Sequence, residues 1–193
     1  MRKAFIFIFV LICLSGQAQT KPNKVLYIQP LGEVNPEYVD IIKSSVESFY
    51  GFACIVKPKV EFTADILAAS KTRYEASKII DKYSSSENLL ILTEKDIACE
   101  NGDYPEWGIF GYGEMPGTTC VVSTFRLKRK ASESVFHDHL IKVALHEIGH
   151  NLGLEHCDND PRCLMNDAKG TSKEMDNEEI WFCDKCRKQI GMK

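Results

Sequence analysis

The sequence predicts an α/β fold: a strand–helix–strand–helix–strand series, then one long helix, then an irregular C-terminal part that needs a staple. Three observations carry this reading. Short apolar runs alternate with stretches of helical periodicity through the first half of the chain. One long helical pattern follows. After it the chain turns polar, loses periodicity and becomes rich in cysteine.

The bulk numbers set the frame. The chain has 193 residues, 44% of them hydrophobic and 26% charged, which suits one domain with a real core. A net charge of −3 gives no reason to expect a nucleic-acid partner or a basic membrane surface. The first stretch stands apart. Arg2 and Lys3 precede an uncharged apolar run from Ala4 to Leu14, and Ser15-Gly16-Gln17-Ala18 puts small residues before a cut. This is the layout of a secretory signal peptide, residues 1–18, and the run is short for a membrane span. The mature chain is then expected to begin at Gln19 and to be exported, periplasmic or secreted. Only Gln19 to Asn23 separate that cut from the first strand, so no folded prodomain is expected. Residues 19–193 form one domain, with an N-terminal subdomain of about 23–153 and a C-terminal one of about 154–193.

Lys24-Val25-Leu26-Tyr27-Ile28 reads as the first buried strand. Asn35 before Pro36 is a helix start, and Val39, Ile42, Val46 and Phe49 recur at helical spacing until Gly51 ends them. Phe52 to Val56 is the second strand. Thr72 and Glu75 form a capping box ahead of Ala76, Ile79, Ile80 and Tyr83. Asn88 to Leu92 is the third strand. Such alternation implies parallel strands with right-handed crossovers. Two short strands are expected near Gly108–Tyr112 and Thr119–Ser123. The basic run Arg126 to Lys130 reads as a solvated loop. The long helix then runs from near Ser134 to Gly153.

Within that helix lies His146-Glu147-Ile148-Gly149-His150. Residues four apart on a helix share a face, so both imidazoles point at one place, as zinc ligands would. Gly153 allows a left-handed turn, and His156 follows to complete a three-histidine set. Three ligands leave a fourth position open, the mark of a catalytic zinc that activates water. Glu147 is then the expected general base, taking a proton from water and passing it to the leaving amine. His137 and His139, nearer the helix start, read as surface residues.

Seven cysteines remain after the signal segment, an odd number that a simple set of disulfides does not use up. Cys157, Cys163, Cys183 and Cys186 suit a closed tetrahedral zinc site; two disulfides are the alternative. Cys54 reads as a core thiol, and a Cys99–Cys120 disulfide is possible in an exported chain.

These residues together resemble the archaemetzincins, a branch of the metzincin peptidases. That family joins H-E-x-x-H-x-x-G-x-x-H-C to C-x-M, a seventeen-residue spacer and C-x-x-C. Here Cys163-Leu164-Met165, the spacer Asn166–Phe182 and Cys183-Asp184-Lys185-Cys186 match it. The loop from Cys157 to Cys163 carries one residue more than is usual there, and the family is usually intracellular. The resemblance implies a metzincin-like (zincin) fold and a zinc peptidase acting on peptides or proteins. It implies a catalytic zinc on His146, His150 and His156, a structural zinc on Cys157, Cys163, Cys183 and Cys186, and Met165 beneath the catalytic metal. Trp107 to Tyr112 looks like the edge strand that aligns an extended substrate. Aminopeptidase and endopeptidase stay undecided: no anchor for a free amine can be identified. A catalytically quiet, two-zinc binding protein on the same fold is the alternative. The chain is expected to act as a monomer.

Overall fold

The computed structural model describes residues 24–192, so the signal segment lies outside the described residues. A five-stranded sheet forms the backbone of the fold, its strands in the order Ala53–Val56 (β2), Val25–Leu31 (β1), Asn88–Thr93 (β4), Thr119–Ser123 (β8) and Gly111–Gly113 (β7). Strand β1 (Val25–Leu31) pairs in parallel with β2 (Ala53–Val56) on one side and β4 (Asn88–Thr93) on the other. Strand β8 (Thr119–Ser123) extends the parallel set, and the short β7 (Gly111–Gly113) closes it antiparallel, with one edge free.

The crossovers decide which face each helix covers. Going from β1 to β2 and then back past β1 to β4 reverses direction, so right-handed connections put their helices on opposite faces. Helix α1 (Pro36–Tyr50) packs on one face, where Leu26, Ile28, Leu90, Leu92 and Val122 point. Helix α2 (Ala76–Tyr83) packs on the other, against Leu31, Leu89, Ile91 and Val121. The alternation of residues along β4 between these two cores is the period-2 rule of a strand buried on both faces. The start and stop of α1 match the sequence reading: Asn35 accepts from the Glu37 N–H at 3.0 Å, and Gly51 ends the helix at φ 68°.

Helix α3 (Glu133–Asn151) lies beside α1, and the Tyr50 hydroxyl donates to the Leu145 carbonyl at 2.7 Å to join them. It is buried almost all round, which explains why it has no clean polar stripe. Its end is a Schellman turn: Leu154 N–H donates to Gly149 O and Gly153 N–H to His150 O, with Gly153 at φ 94°. Beyond it lie two short helices, α4 (Ser172–Met175) and α5 (Asp184–Gln189), in otherwise irregular chain.

Four local expectations fail. Thr72–Glu75 is not a capping box: Tyr74–Glu75 is a short strand, β3, paired with Ile97 and Ala98 of a later strand, and α2 starts without a side-chain cap. Pairing with β5 (Ile97–Asn101) and the packing of Tyr74 on Phe62 outweigh the local capping signal. A hairpin of β5 with β6 (Tyr104–Ile109) forms a second, three-stranded sheet, so the strand expected at Gly108–Tyr112 is divided between two sheets. The basic run is not wholly solvated: Arg126 is half-buried and forms two bonds to Asp96, at 2.7 and 3.0 Å, where Arg73 also binds. His139 is buried, and its Nε2 bonds to Asp176 at 2.9 Å. No helix among the described residues is long and apolar enough to cross a membrane.

Candidate active site

The fold brings His146, His150 and His156 together, with ligand atoms all within 4.8 Å of one another. Two hydrogen bonds select the tautomer. His146 Nδ1 donates to the Leu164 carbonyl and His150 Nδ1 to the Leu154 carbonyl, each at 2.7 Å. A carbonyl can only accept, so Nδ1 carries the proton and Nε2 keeps its lone pair free. Burial, then the neighbouring imidazole of His150, pulls His146 down to about 3, and burial first of all lowers His150 as well. Both rings are neutral at pH 7, the form that binds metal. The Schellman turn thus works twice: it ends α3 and supplies the carbonyl that orients His150.

Glu147 lies between the two helical histidines in sequence but turns toward β7. It is buried, and its carboxylate accepts the Gly113 N–H. Burial pushes it up to about 8, with the Gly113 bond opposing; a bound cation would pull it back. A Cβ at Gly111 would sit 2.6 Å from Glu147 Oε1. Gly111→Ala is therefore expected to displace the carboxylate and lower kcat about tenfold to a hundredfold, leaving the metal count unchanged. Steady-state kinetics with elemental analysis checks this.

The four cysteines Cys157, Cys163, Cys183 and Cys186 also converge, all buried. Among the described residues every cysteine is free, so neither the two-disulfide alternative nor a Cys99–Cys120 bridge is present. Sulfur separations are 3.6 Å for Cys157–Cys183, 3.7 Å for Cys183–Cys186 and 3.8 Å for Cys163–Cys186. A tetrahedron of zinc–sulfur bonds of about 2.3 Å has edges of about 3.8 Å, so the donor set fits zinc. Backbone N–H groups of Asn159 and Cys183 point at the Cys157 and Cys163 sulfurs, each at 3.4 Å, as the outer shell of a thiolate site does.

Cys163-Leu164-Met165 touches everything. Cys163 belongs to the thiol cluster, the Leu164 carbonyl orients His146, and the Met165 carbonyl accepts the Cys157 N–H at 2.7 Å. The Met165 side chain reaches the helix only because Gly149 has no side chain; a Cβ there would be 2.5 Å from its sulfur.

The histidines and Glu147 open onto a cleft of about 610 Å³ between the free edge of β7 and the C-terminal part. Its wall includes two residues the sequence reading passed over, Lys142 and Glu178, both buried. Lys142 precedes His146 by one helical turn, so its place on the histidine stripe was available from spacing alone. Glu178 sits in aperiodic chain and gave no such signal.

Residues 56–192 match Peptidase family M54. An archaemetzincin of Halobacterium salinarum is 31% identical over 174 residues, covering 84% of this chain and 97% of that protein. One from Archaeoglobus fulgidus is 31% identical over 165 residues, covering 86% and 98%. The crystal structure of the Archaeoglobus fulgidus archaemetzincin complexed with malonate superposes with a TM-score of 0.75 at 30% identity, over 86% of this chain and 99% of that one. The archaemetzincin of Methanopyrus kandleri, 24% identical, shares the fold with a TM-score of 0.72, over 87% and 93%. The chain belongs to peptidase family M54 and is a zinc-dependent metallopeptidase with the metzincin-like fold.

Proposed function

We propose that this protein is an exported, monomeric two-zinc peptidase with Glu147 as its general base. The observation that carries this is the buried Glu147 carboxylate, held by the Gly113 N–H and opening onto the same cleft as three convergent imidazoles. His146, His150 and His156 would hold the catalytic zinc; Cys157, Cys163, Cys183 and Cys186 would hold a structural one. Bound there, zinc would supply Lewis acidity for the substrate carbonyl and for an attacking water.

The chain's own residues do the rest. An extended peptide pairs with the free edge of β7, whose Gly111 and Gly113 let it lie close to Glu147. A Glu147 carboxylate oxygen accepts the proton of the attacking water and delivers it to the scissile nitrogen, so the amine leaves neutral. No covalent acyl intermediate is needed. Export is supported by Arg2, Lys3, the apolar run Ala4–Leu14 and the small residues before Gln19.

The test is one preparation measured three ways: metal per chain, mass of the mature chain, and cleavage of a mixed peptide library. Two zinc ions, an N-terminus at Gln19 and cleavage abolished by chelator and restored by zinc are expected. Two zinc ions with no cleavage would favour the quiet binding protein instead. One zinc would remove the structural site from the account.

A further inference from the structure

Glu178 is a buried carboxylate with no explanation in the chemistry above. It is 7% exposed, and among the described residues it receives no side-chain hydrogen bond and forms no ion pair. The Lys142 ammonium attracts it from a distance but makes no bond to it, being held by the Asp138 carboxylate at 2.7 Å and the Met175 carbonyl at 2.9 Å. Its other charged neighbours are Glu174, Asp138 and Asp167, which repel it. Burying a carboxyl group without a partner is unfavourable, and a cation would relieve both the burial and the repulsion. Burial, only partly offset by the Lys142 charge and helped by those carboxylates, pushes Glu178 up to about 7. The little surface it keeps opens where the catalytic cleft meets a second cavity of about 860 Å³, on whose wall carboxylates outnumber cations. A long side chain has room there.

The geometry also assigns a side. At one end of β7, a Cβ on Gly113 would lie 2.7 Å from the Glu147 carbonyl and 3.3 Å from Asn151, near the C-terminus of α3. Chain preceding β7 leads to Trp107, against Gly170, at the end of the cleft shared with Lys142 and Glu178. A peptide lying antiparallel to β7 then has its C-terminal half at the Glu178 end.

We propose that Glu178 is a specificity residue whose carboxylate binds a cationic group of the peptide substrate, the guanidinium or ammonium of a basic side chain following the bond to be cut. This rests on the peptidase reading above. A charge-assisted pair in a partly desolvated site discriminates against a neutral isostere by about tenfold to a hundredfold. Neither Lys142 nor Lys169, the other cation on the cleft wall, can play this part, because each would repel the ligand.

The experiment compares matched peptides carrying arginine or its neutral isostere citrulline, with free and with acetylated N-termini, on the zinc-loaded protein and on Glu178→Gln. The expected result is a kcat/KM ratio of arginine to citrulline of at least about ten in the parent, falling towards one in the variant. If acetylated peptides keep the ratio, the cation is the side chain. If selectivity appears only in peptides with a free N-terminus, the cation recognised is the terminal amine, which precedes the bond to be cut, and the proposal is overturned. Equal rates for arginine and citrulline peptides in the parent, or a preference that survives Glu178→Gln, would overturn the proposal. Binding of the same fluorescent peptides to Glu147→Ala, read by anisotropy, separates this proposal from the catalytic one. Arginine-selective binding without any cleavage by the parent would count against the peptidase mechanism alone. A second variant, Glu178→Arg, guards against a folding artefact: it is expected to reverse the selectivity towards glutamate peptides, which mere damage cannot do.

Discussion

Replacing Cys163 by alanine is expected to lower the melting temperature by roughly 10–20 °C and to leave one zinc per chain. The residues from His156 onward contribute few large apolar side chains, and α4 and α5 span only Ser172–Met175 and Asp184–Gln189, too short to stand alone. Structural zinc sites bind with about 10–16 kcal/mol in small peptides, of the order of a whole domain's stability. Losing even about 5 kcal/mol of it would shift a chain of this size by that many degrees. Cys54→Ala supplies the comparison. Cys54 is also buried, and burial raises its thiol to about 11, but its neighbours are those of an ordinary core position. Its loss should cost only about 1 kcal/mol, a small cavity. If calorimetry finds the two variants equally stable, the thiol cluster is not the staple. Sensitivity of the parent to chelator but not to a reducing agent should accompany the result, because the cysteines are unbridged.

Glu147→Gln separates chemistry from folding. Glutamine has the same shape but cannot accept the proton, so kcat is expected to fall about a thousandfold with zinc content and KM little changed. Stability should not fall with it. Glu147 is buried and pushed up to about 8 from 4.5, so between those values the folded, metal-free protein binds more protons than the unfolded chain. That part of its stability is present below about pH 4.5 and is lost as pH rises through 8. Thermal scans of the chelated parent and variant should therefore diverge in the variant's favour as pH rises across that window. Cleavage retained within tenfold would remove Glu147 from its role.

How legible all this was in the sequence depends on distance along the chain. His146, His150 and His156 could be found because helical spacing and Gly153 fix their meeting point locally. The cysteines could be found because their spacings are those of a metal site, although spacing did not show that the four thiols stay unbridged at 3.6–3.8 Å. Strands β1, β4 and β8 were readable as short apolar runs buried on both faces. The hairpin of β5 and β6 was missed although Asn101-Gly102, with Gly102 at φ 56°, is a turn signal; Pro105 and the polar residues around it disguised the strands. His139 was misread because the partner its ring bonds to, Asp176, lies 37 residues away. Glu178 was invisible for the same reason: nothing in a short polar stretch says that chain from elsewhere will close over it.

Leu164 is flanked by Cys163 of the thiol cluster and by Met165, which packs against Gly149 of α3, and its own carbonyl accepts from His146. A metal on the four thiols would fix that carbonyl and so preorganise the His146 imidazole. Linkage is reciprocal, so an ion on the three histidines would tighten one on the thiols by the same factor. On the two-zinc reading proposed above, the two occupancies would form a single cooperative equilibrium, with a three-residue segment as the coupling element. Metal starvation would then empty the molecule in a concerted way, passing from a fully armed enzyme to an unstapled chain with little of the half-loaded form between.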